Sequence, residues 1–311
     1  MPARTGELIR TPATAPAPPA WVSRIFKRAS WKLVSGENDP IRIQVVDSQR
    51  WAQIKATFPI HGVSHEIFEQ LVCRAYRDLA SELSKHRARH AVRLWAFIPD
   101  IRARMGSGLD RYKVFNAGRF SAFQSWFGGA EKLRMVPAGT GVGWGDSQLA
   151  LHCLSTIRPG VPVENPRQIP AYRYSKRYGP KPPCFARATR IQIPGESPVL
   201  FVGGTASIFG EDSLHRGNMR EQLAETFRNL ASVAQSAFAP VITKPPAQPA
   251  REDWLQVYRY LRVYYLNSAD LDTLTGLVAE RCPLAEEIEF VQAKLCRPEL
   301  LVEIEGLARA D

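Results

Sequence analysis

With 311 residues the chain has room for two domains or one large one. Hydrophobic residues at 45% and charged residues at 23% are typical of a globular protein and exclude a disordered polyelectrolyte. The 41 lysines and arginines against 30 acidic residues leave a net charge of +11. That surplus suits nucleic-acid phosphates, a solvated basic face or a small dianionic substrate, and does not choose among them.

Residues 1–38 are rich in Pro, Ala and Arg and read as a flexible or loosely docked lead-in. They lack the apolar stretch of a signal peptide, and no later run approaches the ~18 apolar residues of a membrane span. A soluble, cytoplasmic protein is expected, with no membrane partner.

A first unit is expected over 39–160. Ile41, Ile43 and Val45 alternate with polar residues as in a strand. Over 64–85, Ile67, Phe68, Leu71, Val72, Ala75, Leu79 and Leu83 fall on one helical face behind a Ser64 cap. A strand over 91–98, a helix over 109–127, a Gly-rich loop over 138–145 and a strand over 149–157 follow. Residues 161–186 form a Tyr- and Arg-rich connection. The second unit, 187–311, repeats the order: a strand pair (187–193 and 199–207), a helix (218–238), a Pro-rich loop (240–249), a strand (254–266), a helix (269–280) and a closing strand (300–307). Two copies of an α+β unit, each with its sheet on one side and helices on the other, are the economical architecture.

Metal and redox chemistry find little support. The five cysteines (Cys73, Cys153, Cys184, Cys282, Cys296) are odd in number and widely spaced, so neither disulfides nor a CxxC site is expected. His61/His65 lacks the glutamate of a zincin helix, and His86/His90 lies among arginines. The turn 203–210 (GGTASIFG) has no lysine where a phosphate loop needs one, and 139–145 lacks the dinucleotide spacing.

Segments dense in arginine and tyrosine are more informative. Residues 165–188 gather Arg167, Arg173, Arg177, Arg187, Tyr172, Tyr174 and Tyr178. They read either as a site for a planar anion, held by guanidinium forks and phenols, or as a basic linker with exposed tyrosines. Tyr112 and Arg119, two helical turns apart, share a face; the alternative is a surface helix whose arginine pairs with an acid. Glu303 and Glu305 share one face of a strand between apolar neighbours. A carboxyl facing a closed pocket there would be a general acid, and one on an exposed edge would be inert.

The second half resembles the Rid (YjgF) superfamily of reactive-intermediate deaminases, through YGP at Tyr178, GGTASI at Gly203, QLAETFRNL at Gln222 and VEIEGLA at Val302. From about Ile41 onward the chain resembles the chorismatase family, whose members carry two Rid-like units and include 3-hydroxybenzoate synthases. The shared motifs are DRYKVFNAGR at Asp110, VPAGTGVG at Val136, NPRQIPAYRY at Asn165, FARA at Phe185, GTASIFG at Gly204 and CRPELLVEIEG at Cys296. The resemblance implies an α+β fold of two tandem Rid/YjgF-like (chorismate-mutase-like) units, each a mixed sheet with helices on one face. It implies cofactor-free cleavage of chorismate to pyruvate and 3-hydroxybenzoate, with 4-hydroxybenzoate as a second product, at a site between the units. Glu303 is then the catalytic acid and base. Tyr112, Arg119, Tyr174 and Arg187 bind substrate, Gly204, Thr205 and Ala206 shape the pocket, and Cys296 marks the hydroxybenzoate-forming branches.

Departures from the family pattern are Glu211, where a histidine is usual, and Asn218, where an aspartate is frequent; altered local packing is expected from them. Ile288 stands where Rid deaminases carry a carboxylate-binding arginine. The rival readings are a hydrolytic chorismatase giving a dihydroxycyclohexadiene acid, a Rid-type imine deaminase, and a basic nucleic-acid-binding module. On the favoured reading the partner is chorismate and not nucleic acid, and the protein is a monomer or a homotrimer.

Overall fold

The computed structural model describes residues 7–10, 17–27, 29–106, 108–145, 147–239 and 251–310. The Pro-rich loop expected over 240–249 lies outside them. The first described elements are strand β1 (Glu7–Arg10), helix α1 (Ala20–Ile25) and strand β2 (Lys32–Leu33). β3 (Arg42–Asp47), β4 (Trp51–Pro59), α2 (His65–Ser84), β5 (His90–Pro99), α3 (Arg111–Phe127), β6 (Ala138–Trp144) and β7 (Gln148–Thr156) follow. Strands β2 to β7 form a six-stranded sheet in the order β2-β3-β4-β7-β5-β6, antiparallel except where β6 runs parallel to β5.

The rest of the chain adds β8 (Val161–Val163), β9 (Ala188–Ile191), β10 (Val199–Ala206), the hairpin β11 (Ile208–Phe209) and β12 (Asp212–Ser213), α4 (Met219–Phe238), β13 (Tyr258–Tyr265), α5 (Leu271–Arg281), β14 (Glu287–Gln292) and β15 (Val302–Arg309). With β1, strands β8 to β10 and β13 to β15 make a seven-stranded sheet in the order β1-β14-β13-β15-β10-β9-β8, and β11 and β12 pair apart from it. The α+β reading with mixed sheets therefore holds. Among the described residues no helix is long and apolar enough to cross a membrane.

Local chemistry accounts for the helices. The Ser64 side chain accepts from the Ile67 amide and caps α2, whose buried face is Phe68, Val72, Ala75, Tyr76, Leu79 and Leu83. Asp110 caps α3 through the Lys113 amide, and Gly128 ends it in the left-handed region at φ 83°. Asn218 caps α4 through the Glu221 amide at 3.2 Å, a role an aspartate would fill equally well. Gly118 lets α3 approach α2, because a Cβ there would sit 2.5 Å from the Glu69 carbonyl oxygen.

Three apolar layers result. One packs α2 and α3 on the first sheet. Another packs α4 and α5 on the second. In the third the remaining faces of the two sheets meet, around Trp95, Phe97, Phe201, Tyr264 and Leu307. The order is helix, sheet, sheet, helix. The stretch read as a lead-in contributes Trp21 and Val22 to this central layer, with the Trp21 ring stacked on Phe201 at 5.5 Å.

Several elements differ from expectation. The Gly-rich stretch over 138–145 is strand β6. Its glycines answer close neighbours: a Cβ at Gly139 would meet Phe185, one at Gly141 would meet Tyr112 at 3.3 Å, and one at Gly143 would meet Lys294 at 2.8 Å. Strands β4 and β14 were not anticipated, and residues 251–257 form a 3₁₀ turn where the sequence suggested that β13 begins. Residues 161–163 of the expected connection pair with β9 as an edge strand.

Candidate active site

Strand alternation on β15 sends Val302, Ile304 and Ala308 into the helix-covered layer and turns Glu303 and Glu305 toward the other sheet. Glu305 is fully engaged. It accepts from Arg93, from Thr140 Oγ1 at 2.5 Å, from Trp95 Nε1 at 3.0 Å and from Tyr264 Oη at 2.9 Å. Arg93, Trp95 and Thr140 belong to the first sheet, so the pair bridges the two sheets with both side chains 2% exposed. Charge-assisted donors on every side are the condition under which a buried ion pair is tolerated.

Glu303 has a different environment. It borders a cavity of about 220 Å³ between the two units, with Tyr112, Tyr174, Tyr178, Phe185, Arg187, Gly204, Ala206, Cys296 and Arg297 among the lining. The β10–β15 register slips between Val202 and Thr205, placing Gly204 against the Glu303 carboxyl. A Cβ at position 204 would clash with Glu303 Oε1, so only glycine leaves the carboxyl its place. Burial, and then the charge of Glu305, raise the Glu303 pKa to about 8, against the opposing pull of Arg93 and Arg297. At neutral pH the group is therefore mostly a carboxylic acid, able to give up a proton.

Arg187 and Arg297 bring positive charge to the same cavity. Arg187, buried, donates to Tyr174 Oη at 2.8 Å and to the Ile169 carbonyl at 2.9 Å, while its Nε finds no partner among the described residues. Arg297 lies over the Tyr178 ring at 4.0 Å and the Tyr174 ring at 5.5 Å. It donates to the Glu211 carbonyl at 2.8 Å and to Ser213 Oγ at 3.0 Å. Burial pushes the Cys296 thiol up to about 12, with Glu303 adding to the effect. It is a neutral, weakly nucleophilic group at this wall.

Of the residues singled out from sequence, Glu303, Tyr112, Tyr174, Arg187, Gly204, Ala206 and Cys296 converge on this cavity. Two do not line it. Arg119 is buried behind the wall, where it donates to Asn116 Oδ1 at 2.7 Å and bonds the Tyr112 phenol. Thr205 Oγ1 donates to the Gly203 carbonyl at 3.0 Å. Tyr178, named within the Arg- and Tyr-rich segment, also lines the cavity; Arg297 and Phe185 were missed as wall residues. A signal for Arg297 was present in its position next to Cys296 inside CRPELLVEIEG. Ile288 is buried in the layer beneath α4 and α5, away from the cavity lining.

Residues 28–155 match the family model described as chorismatase FkbO/Hyg5-like, N-terminal. A 3-hydroxybenzoate synthase of Streptomyces hygroscopicus is 33% identical over 219 residues, which cover 69% of this chain and 62% of that protein. A chorismatase of Streptomyces rapamycinicus is 32% identical over 220 residues, 69% of this chain and 63% of that protein. The chain thus spans less than two thirds of the length of these curated relatives. A chorismatase crystal structure superposes with a TM-score of 0.74 at 25% identity, covering 89% of this chain and 80% of that one.

Proposed function

From a chain whose residues 28–155 belong to the chorismatase FkbO/Hyg5-like N-terminal family and whose fold matches a chorismatase, we propose that the cavity converts chorismate to 3-hydroxybenzoate and pyruvate, with 4-hydroxybenzoate as a second product. The observation that carries the reading is a buried Glu303, its pKa raised to about 8, facing a cavity that also holds Arg187 and Arg297.

Chorismate presents two carboxylates and an enolpyruvyl ether. Arg187 and Arg297 supply one cation for each carboxylate, and the Tyr112, Tyr174 and Tyr178 phenols offer directional bonds to oxygen. Arg119 acts from behind, fixing the Tyr112 hydroxyl. Glu303 gives its proton to the enolpyruvyl methylene, creating an oxocarbenium-like centre at the neighbouring carbon. The ring C–O bond then breaks, its electron pair going to oxygen, and pyruvate leaves with its charge held by the arginines. The ring aromatises by moving its hydroxyl oxygen and losing a proton, which the ionised Glu303 takes back. The two products together contain every atom of chorismate, so no water is consumed. Cys296 contributes a compact neutral side chain beside Glu303. Both walls of the cavity come from one chain, so a monomer suffices for the reaction.

The test is incubation with chorismate at neutral pH, with products separated by chromatography and pyruvate assayed in parallel. 3-Hydroxybenzoate appearing together with an equal amount of pyruvate supports the reading. A dihydroxycyclohexadiene acid with pyruvate would replace it by the hydrolytic reaction. Untouched chorismate would remove it.

A further inference from the structure

Two of the cavity's arginines, Arg187 and Arg297, are each held by the short turn 174–178, and that turn is held from outside. Tyr174 Oη takes the Arg187 guanidinium, and the Tyr174 and Tyr178 rings, 5.2 Å apart, both lie against Arg297. Tyr174 is buried, but the rest of the turn carries little apolar burial: Ser175, Lys176 and Arg177 are exposed. Its anchor is Glu211, at the tight end of the β11–β12 hairpin. The Glu211 carboxylate accepts from the Ser175 amide at 2.8 Å and from Ser175 Oγ at 2.7 Å, one bond to each oxygen. The Glu211 carbonyl also accepts from Arg297 at 2.8 Å. Next to it, Asp212 pairs with Arg177, but that pair is more than half exposed on both sides and contributes little. Glu211 itself is 16% exposed.

We propose that Glu211 is a positioning residue, a latch that fixes the 174–178 turn on the hairpin and thereby sets Arg187 and Arg297 in place before a dicarboxylate substrate enters. The proposal rests on the chorismate reading for its ligand but not for the latch itself. Tyr174 stays buried against Arg187, but without the two Ser175 bonds only the exposed Arg177–Asp212 pair ties residues 175–177 directly to the hairpin among the described residues, so only a fraction of molecules present both arginines at once. Affinity falls by that fraction. The Glu303 carboxyl keeps its own place on β15, so the larger loss falls on binding, with a smaller one on turnover through Arg297.

Two measurements on the full-length protein test this. Hydrogen exchange in the ligand-free protein reports the latch directly: Glu211→Ala is expected to speed exchange of a peptide spanning 174–178 while α4 and β15 keep their protection. Chorismate binding, measured by calorimetry in a Glu303→Gln background, is expected to weaken about tenfold on adding Glu211→Ala. In the active enzyme KM should rise by a similar factor with kcat within about threefold. Ser175→Ala should reproduce part of the effect, and the double variant Glu211→Ala/Ser175→Ala should be no worse than Glu211→Ala alone. Unchanged exchange at 174–178 overturns the latch. Faster exchange with unchanged chorismate affinity overturns its positioning role. Should the parent protein and Glu303→Gln both fail to bind chorismate, the substrate assignment falls, and the exchange result still decides the latch.

Discussion

Glu303 and Glu305 stand on the same face of β15 with one residue between them, yet Glu305 is surrounded by four donors, Arg93 among them, while Glu303 faces a cavity. One carboxyl is engaged by donors on every side, and its charge helps to raise the pKa of its neighbour. This division of labour sets most of what can be tested.

Replacing Glu303 by glutamine keeps shape and polarity but removes the transferable proton. Turnover of chorismate is expected to vanish, with chorismate affinity within about tenfold, or ~1.4 kcal/mol. Single-turnover assays and calorimetry check it; equal loss of binding would assign Glu303 to holding substrate.

Glu303 also ties activity and stability to pH. The acid form is the active one, so kcat/KM should fall as pH rises through about 8. For stability the sign follows from proton binding. Between the ordinary glutamate value of ~4.3 and about 8, the folded state keeps a proton that the unfolded state has released. Stability is therefore lost as pH rises across that window. Glu303→Gln removes the loss, and should be more stable than the parent at pH 8 by a few kcal/mol, with little difference at pH 4. Denaturant titrations at the two pH values measure this.

Glu305→Gln leaves Arg93 buried without its counter-charge. A destabilisation of about 3–5 kcal/mol is expected. In the folded fraction the basic limb of the activity profile should move to lower pH, because Glu303 loses a repelling neighbour and keeps an attracting one. A limb that stays in place would mean that Glu305 acts only through packing.

At Arg187, alanine should weaken chorismate binding by ~2 kcal/mol or more, since a desolvated carboxylate loses its charged donor. Arg297→Ala should behave similarly. An unchanged KM in either variant would remove that arginine from the set of substrate ligands.

Gly204→Ala places a methyl group where the Glu303 carboxyl lies. The side chain must rotate away, so kcat should fall by at least tenfold while the fold, set by β10 and β15 pairing, persists. Circular dichroism alongside the kinetics separates the two.

Helices α2 and α4 were legible because each has a side-chain cap and a 3.6-residue apolar period, as α2 shows with Ser64 and the Phe68 to Leu83 face. The convergence of Tyr112, Tyr174, Arg187 and Glu303 was legible through motifs. β6 was not, because glycines at 139, 141 and 143 look like a loop until Phe185, Tyr112 and Lys294 are seen to press on them. Arg119 was placed on the right helix face, but depth is a tertiary property, and the phenol of Tyr112 comes between it and the cavity. Arg297 escaped because its partners, Tyr174 and Tyr178, come from a segment more than a hundred residues away.

The Arg93–Glu305 bridge has one more consequence, for how the halves find each other. Each half carries one member of the pair on an otherwise greasy sheet face, so a docking shifted by one strand or one residue would strand an isolated charge in oil. The two buried charges serve as a registration key: apolar contact makes the halves stick, and only the true alignment lets them stay.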